Sequence, residues 1–147
     1  MKNLSDKIIV FDNVSATYKN GVGIFDISFE LDKSEFVFLM GPTGSGKSTI
    51  LRSIYMDVFI NKGNILYNGR NLSKIRKRQV PKLRRNIGMI FQDYKLLEDR
   101  TVYDNVALPL QIAGQKSNLI KKKVSEMLDR VGILDKYNSQ PSKLSGG

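Results

Sequence analysis

The chain has 147 residues, of which 41% are hydrophobic and 26% charged, so it can bury a core and is not a wholly disordered protein. It contains no cysteine and no histidine, which excludes disulfide frameworks, cysteine- or histidine-ligated metal sites and acid–base catalysis by histidine. The 24 Lys and Arg residues outnumber the 14 Asp and Glu residues, a balance that favours polyanionic partners: nucleic acid, an anionic membrane surface or phosphorylated small molecules.

Many of the basic residues fall in two clusters, at positions 74–85 and 121–123. We interpret both clusters as solvated faces first, because charge runs are most often surface. No aromatic residues are interleaved with them, which argues against a nucleic-acid interface.

Membrane insertion has no support in the sequence. No apolar run reaches the roughly 18–20 residues that a spanning helix needs. The first six residues, Met1 to Asp6, lack the apolar stretch of a signal peptide. We therefore expect a soluble, cytosolic domain.

The apolar pattern changes along the chain, mixing strands and helices over about 90 residues and favouring helices afterwards. The continuous apolar run 36–40 is typical of a strand covered on both faces, and 86–92 is a second candidate of that kind. Strands are predicted at 8–11, 14–18, 27–31, 36–40, 65–67 and 86–92. A first helix is predicted at 47–55, with an apolar face of Ile50, Leu51 and Ile54. A second is predicted from Thr101 to Gly114. A third is predicted from an N-cap at Ser117 to Arg130, and its apolar face consists of Ile120, Val124, Met127, Leu128 and Val131.

A phosphate-binding motif follows the apolar run 36–40 directly. Residues 41–48 read Gly-Pro-Thr-Gly-Ser-Gly-Lys-Ser, which matches the P-loop pattern, and a predicted helix follows as that motif requires. Its candidate residues are Gly41, Gly44, Ser45, Gly46, Lys47, Ser48 and Thr49. The glycines let backbone N–H groups face phosphate oxygens, Lys47 supplies a cation for the β- and γ-phosphates, and Ser48 offers a hydroxyl to Mg²⁺. The sequence therefore predicts a nucleotide site that takes ATP or a related nucleotide with Mg²⁺.

Three further segments occur before and after this motif, and their order along the chain is informative. Tyr18 lies 23 residues before Gly41, Phe91-Gln92-Asp93 follows the second apolar run, and Leu144-Ser145-Gly146-Gly147 ends the sequence. Together with the P-loop, this order resembles the ATP-binding domain of ABC transporters over essentially the whole chain. The resemblance implies an α/β P-loop fold of ABC type: a parallel-sheet core, an antiparallel β region and a helical subdomain. We expect residues 1–92 to form the nucleotide-binding core and 93–147 the helical subdomain.

The same resemblance implies roles for the matching residues. Tyr18 would stack on the adenine ring, and Gln92 would reach Mg²⁺ and the position of the attacking water, beside Lys47 in the catalytic set. Ser48 and Gln92 would face the metal ion. Ser145, Gly146 and Gly147 would bind the γ-phosphate of ATP held by a second subunit, so that two copies sandwich the nucleotide as a homodimer.

The segment 91–107 is similar to the cell-division members of that family. Such a member would be a peripheral ATPase on the cytoplasmic side of the bacterial inner membrane, with an integral membrane partner of the FtsX type docked near residues 92–110 and no nucleic-acid partner. ATP-binding subunits of lipoprotein-releasing or macrolide exporters are the alternative within the family. A non-hydrolysing nucleotide-binding module and a nucleic-acid-associated module are the alternatives from other classes. Ser34 departs from the glycine common in the family before the position of Glu35.

The family also has elements beyond a Leu-Ser-Gly-Gly signature: a strand ending in a Mg²⁺-binding aspartate, a catalytic glutamate and a switch histidine. We therefore expect this sequence to be part of a longer ATPase and inactive in hydrolysis without that part. We also expect that sheet edges and apolar surface which those elements would cover are left open.

Overall fold

The computed structural model describes residues 6–145, which fall into two compact units, one ending at Met89 and the other beginning at Ile90. The first unit is built on a sheet with one helix packed against it. The second unit is helical.

Four antiparallel strands form the sheet of the first unit in the order β2-β1-β3-β4. They are β1 (Lys7–Thr17), β2 (Gly23–Asp32), β3 (Lys62–Tyr67) and β4 (Arg70–Asn71). The two strands predicted at 8–11 and 14–18 are a single strand, β1, whose pairing shifts register between Phe11 and Val14. A shift of this kind bends a strand without ending it, which explains why the alternation is interrupted there.

Short turns with positive φ angles join β1 to β2 and β3 to β4. After β1, the Gly21 N–H donates to the Tyr18 carbonyl and Gly21 has a φ of 78°. Asn68 and Gly69, with φ of 49° and 74°, form a two-residue turn between β3 and β4, which matches the Asn-Gly signature of a hairpin.

Helix α1 (Lys47–Ile54) packs against the sheet, and α2 (Val80–Arg84) lies in the same core. Phe11, Ile24, Ile50, Ile54, Ile65, Leu72, Val80 and Leu83 are among the buried residues of this core. Ile50 and Ile54 lie on the buried face of α1 as predicted, but Leu51 is exposed, because it lies one residue past Ile50 and so points about 100° away from it.

The strands predicted at 36–40 and 86–92 are not formed among the described residues. Neither segment joins the sheet. Phe36 is 81% exposed and Ile90 is 95% exposed, whereas Ile87 is partly buried against the core of the first unit. A strand exists only when a neighbour pairs with its backbone, and no strand within residues 6–145 pairs with either segment. Phe36 and Ile90 are therefore open to solvent in the described part of the chain.

The second unit contains α3 (Val102–Ile112) and α4 (Ser117–Arg130), whose core includes Val102, Ala107, Ile120, Val124 and Leu128. The Thr101 hydroxyl caps α3, whereas α4 has Lys116 at its N-cap and Ser117 as its first residue, so the predicted Ser117 cap is wrong by one position. Met127 and Val131 were predicted on the buried face of α4 but are more than half exposed. Within residues 6–145, no helix combines the length and apolar character needed to cross a bilayer.

Candidate phosphate-binding site

The glycine-rich loop 41–46 leads directly into α1 of the first unit. Gly44 has a φ of 83° and Gly46 a φ of 91°, conformations that a residue with a Cβ adopts only at a cost. A Cβ on Gly46 would also overlap the Cγ2 methyl of Ile24 on β2. Glycine at position 46 is therefore required both by backbone conformation and by the close approach of β2.

The Lys47 ammonium group lies folded back over this loop. Its Nζ donates to the carbonyls of Gly41 and Pro42, each at 2.7 Å, and lies 3.4 Å from Ser45 Oγ. A cation held by neutral carbonyls alone keeps its full charge for an anion. The loop therefore carries a positioned positive charge directly above its own backbone.

The start of α1 is open to an anion. Gly46 has no side chain to cap the helix, and the first turn contains no acidic residue. The first N–H groups of a helix have no intrahelical acceptor and carry the positive end of the helix dipole. Together with Lys47 they form a cradle that fits a phosphate group.

Ser48 is exposed at this helix start, whereas Thr49 is buried. Within residues 6–145, no cluster of three or more His, Cys, Asp or Glu side chains could hold a metal ion. A Mg²⁺ ion keeps several waters and takes oxygen from phosphates and one or two side chains. The single hydroxyl of Ser48 beside a phosphate cradle fits that requirement.

Tyr18 lies just after β1 and is tied to α1. Its hydroxyl is 3.3 Å from Thr49 Oγ1, and its side chain is 39% exposed. Strand β2 also lies close to the glycine-rich loop, because Ile24 of β2 packs against Gly46. The structure thus brings Tyr18, the glycine-rich loop and the start of α1 together in one unit.

The remaining candidate residues lie in the second unit or beyond the described part. Gln92 is exposed in a turn closed by the Tyr94 N–H on the Phe91 carbonyl. Ser145 is exposed at the end of the second unit. Gly146 and Gly147 lie outside the described residues. The approach of Gln92 and Ser145 to a nucleotide therefore stays a prediction.

A network at the start of α3 was missed by the sequence reasoning. The Thr101 hydroxyl accepts from the Asp104 N–H at 3.1 Å and lies 2.6 Å from Asp104 Oδ2, and Oδ2 also accepts from the Thr101 N–H. These hydrogen bonds hold the pKa of the Asp104 carboxyl below its ordinary value. The pattern Thr-x-x-Asp before a helix is the available signal, a variant of the capping box.

The sequence model of the ABC transporter family matches residues 24–147. The chain is 45% identical over 141 residues to the cell division ATP-binding protein FtsE of Streptococcus pneumoniae serotype 2, covering 95% of this chain and 61% of that protein. It is 46% identical to FtsE of Escherichia coli K12, covering 95% of this chain and 64% of that protein.

A solved structure of an ATP-binding cassette has the same fold as this chain. The dimeric, post-hydrolysis ATP-binding cassette MJ0796, bound to ADP and Pi, superposes with a TM-score of 0.85 at 29% identity, over 94% of this chain and 63% of that one. This likeness confirms the predicted fold class, an α/β P-loop fold of that cassette type. The chain spans less than two thirds of each of these relatives.

Proposed function

The chain belongs to the ABC transporter family, and from this premise we propose that it binds Mg²⁺·ATP as the nucleotide-binding part of an ATPase acting in bacterial cell division. We propose that the whole protein hydrolyses ATP and so regulates a membrane partner. The observation that carries the proposal is the cradle at the start of α1, where Lys47 lies over the loop at 2.7 Å from the Gly41 and Pro42 carbonyls.

The roles of the residues follow from their chemistry. The loop N–H groups and Lys47 would bind the β- and γ-phosphates and offset their charge. Ser48 would supply one oxygen to Mg²⁺, which neutralises charge on the phosphates when bound. Tyr18 would offer its exposed ring to the adenine, since stacking on an aromatic face requires no specific hydrogen bond. The exposed carboxamide of Gln92 would orient water, because it can both donate and accept.

We also propose that ATP joins two copies of the protein. A hydroxyl at Ser145 and N–H groups at Gly146 and Gly147 would complete the γ-phosphate site of the opposite subunit. The MJ0796 cassette with ADP and Pi is described as a dimer, which supports this arrangement. Replacing Ser145 by Ala should weaken ATP-dependent dimerisation, measured by light scattering, without weakening ATP binding to the monomer.

A membrane partner of the FtsX type is proposed to dock near residues 92–110. Two relatives that bear the cell-division name match this chain at 45–46% identity, which favours that role over lipoprotein or macrolide export. A groove between α3 and α4 lies beside this region, with Val106, Pro109, Leu110 and Met127 in its lining. Depletion of the protein in its own cells should give elongated, undivided cells, whereas normal division with lipoproteins retained in the inner membrane would favour the export role.

Nucleotide binding is tested directly with the protein as its gene encodes it. Lys47→Ala should abolish Mg²⁺·ATP binding measured by calorimetry, because it removes the one cation of the cradle. Lys82→Ala, which removes an exposed lysine of α2, is the matched control and should bind as the wild type does. Equal affinity of both variants for ATP would contradict the proposal.

A further inference from the structure

The positive charge of this protein is concentrated in one stretch of sequence. Residues 58–92 contain nine Lys and Arg residues and no Asp or Glu. Outside that stretch the chain has 15 basic and 14 acidic residues and is nearly neutral. The net charge of +10 is thus a local property of the first unit, and the nucleotide site does not account for it.

The first unit displays most of these charges at its surface. Leu72, Val80 and Leu83 are buried and fix the segment to the core. Six basic side chains of the segment 74–85 are exposed: Lys74, Arg76, Lys77, Arg78, Lys82 and Arg85. Among the described residues, none of these six forms an ion pair with an acidic group. We call these six residues the basic patch.

An exposed aromatic side chain lies beside the basic patch. Phe59 is 61% exposed and lines the same small apolar cleft as Ser73 and Ile75, the residues on either side of Lys74. A large apolar side chain at the edge of a cationic surface is the combination that inserts at the boundary between lipid headgroups and acyl chains.

We propose that the basic patch and Phe59 bind the surface of an anionic phospholipid bilayer directly. The cations would lie at the level of the phosphate headgroups, and Phe59 would enter the interface beside them. This contact is separate from nucleotide binding and from docking to a protein partner. It would hold the ATPase at the membrane before and between encounters with that partner.

Nucleic acid is the other polyanion that a cationic surface attracts, and the features of this patch disfavour it. No aromatic residue stands between positions 68 and 90, so the patch offers no platform on which successive bases could stack. Its only α-helix, α2, has five residues, too few to lie along a major groove. Phe59 lies at the edge of the patch, where it can meet acyl chains.

The test uses sedimentation of the protein, as its gene encodes it, with vesicles of one part phosphatidylglycerol to two parts phosphatidylcholine. We expect binding to these vesicles and little binding to pure phosphatidylcholine. Binding should weaken steeply between about 0.05 M and about 0.5 M salt, as screening shortens the Debye length to a few ångströms. A short DNA duplex is the competitor that represents nucleic acid.

Two triple variants distinguish the effect of the basic patch on vesicle binding from the effect of the net charge of the whole protein. Replacing Arg76, Lys77 and Arg78 together by Gln should weaken vesicle binding by about a hundredfold, since each cation at an anionic surface is worth about fivefold. Replacing Lys121, Lys122 and Lys123 by Gln removes the same charge from α4, where Lys122 lies 3.9 Å from Glu126, and should have little effect. Phe59→Ser should weaken the binding that persists at high salt. Circular dichroism and ATP binding check that every variant folds.

Three results would overturn the inference. Equal losses in the two triple variants would mean that net charge, and not the patch, attracts lipid. Equal binding to neutral and anionic vesicles would remove the role of the cations. Tighter binding to the DNA duplex than to vesicles at the same salt, lost in the 76–78 variant alone, would replace lipid by nucleic acid.

Discussion

The Tyr18 hydroxyl lies 3.3 Å from the Thr49 hydroxyl, so the aromatic ring that follows β1 is tied to the first turn of α1. Thr49 is 7% exposed, and its carbonyl accepts a hydrogen bond from Ser53 Oγ at 2.8 Å. The contact therefore joins a half-exposed ring to a fixed position in α1. A residue that presents one face to a base benefits from such an anchor, because less side-chain entropy is lost when the base stacks.

Tyr18→Ala should weaken ATP binding by about tenfold or more, since stacking of a base on an aromatic side chain contributes roughly 1–3 kcal/mol. Tyr18→Phe keeps the ring and should cost much less. Inorganic triphosphate has no base, so its affinity, measured by competition, should be the same for wild type and Tyr18→Ala. If Tyr18→Ala binds ATP as tightly as wild type, Tyr18 is only a structural residue of the hairpin.

Gly46→Ala should destabilise the first unit more than Gly44→Ala does. Both positions have positive φ, so each substitution carries about 1–2 kcal/mol of backbone strain. At Gly46 the new methyl also overlaps the Ile24 Cγ2 methyl, whereas at Gly44 it meets nothing within 4 Å. Overpacking of this kind adds about 1–3 kcal/mol.

Urea unfolding followed by circular dichroism measures the difference between these two alanine variants. Equal free energies of unfolding would mean that the contact with Ile24 relaxes at no cost. ATP affinity provides a second comparison, because both substitutions disturb the loop but only the one at Gly46 moves it relative to β2.

Local signals in the sequence were sufficient for the glycine-rich loop and for helices α1, α3 and α4, whereas α2 was not predicted. The Gly-Lys-Ser pattern, the Asn68-Gly69 turn and Gly114 each act through the backbone of a few residues, so nearby sequence determines them. The strand at 36–40 was predicted wrongly because an apolar run indicates only burial and β propensity. Pairing depends on a neighbouring strand, which no local pattern can supply.

The candidate site was predictable to the same extent. The P-loop motif identifies the residues of the cradle, but not that Ile24 packs against Gly46 or that Thr49 holds Tyr18. Those contacts join residues 22 and 31 positions apart. They arise from the packing of the β1–β2 hairpin against α1, which is a tertiary property.

Arg84 is expected to stabilise the end of α1, since its Nε and Nη2 each donate at 3.0 Å, to the carbonyls of Tyr55 and Met56 respectively. Its guanidinium carbon lies 4.7 Å from the centre of the Tyr55 ring. These carbonyls follow the last turn of a helix and have no intrahelical donor. Arg84→Ala should lower the free energy of unfolding by about 2 kcal/mol, the scale of hydrogen bonds to a charged group.

Arg85→Ala is the matched control for this substitution, because the Arg85 side chain is exposed. It should change the unfolding free energy by less than about 0.5 kcal/mol. Arg84→Lys keeps the charge but not the forked geometry and should recover only part of the loss. Full recovery by lysine would mean that charge alone, and not the pair of hydrogen bonds, stabilises this helix end.

The stability of α3 should fall in acid through Asp104. Hydrogen bonds from the Thr101 hydroxyl and N–H hold the pKa of Asp104 below its ordinary value of 3.8. A carboxyl with a lowered pKa in the folded state stabilises that state fully above the unfolded pKa, and this contribution is lost as the pH falls through the folded pKa. Neutral pH should therefore leave α3 unaffected, and the loss should begin below about pH 4.

Asp104→Asn should remove this acid dependence, because an amide accepts hydrogen bonds but does not titrate in that range. Thr101→Ala should cost about 1 kcal/mol at neutral pH by removing the cap, whereas Thr101→Ser keeps the hydroxyl and serves as its control. Thermal unfolding of the second unit, followed by hydrogen exchange of the α3 amides between pH 7 and pH 3, measures both effects. If Asp104→Asn and the wild type lose stability in parallel as the pH falls, other carboxyl groups cause the loss, and the capping network at Thr101 does not sense acid.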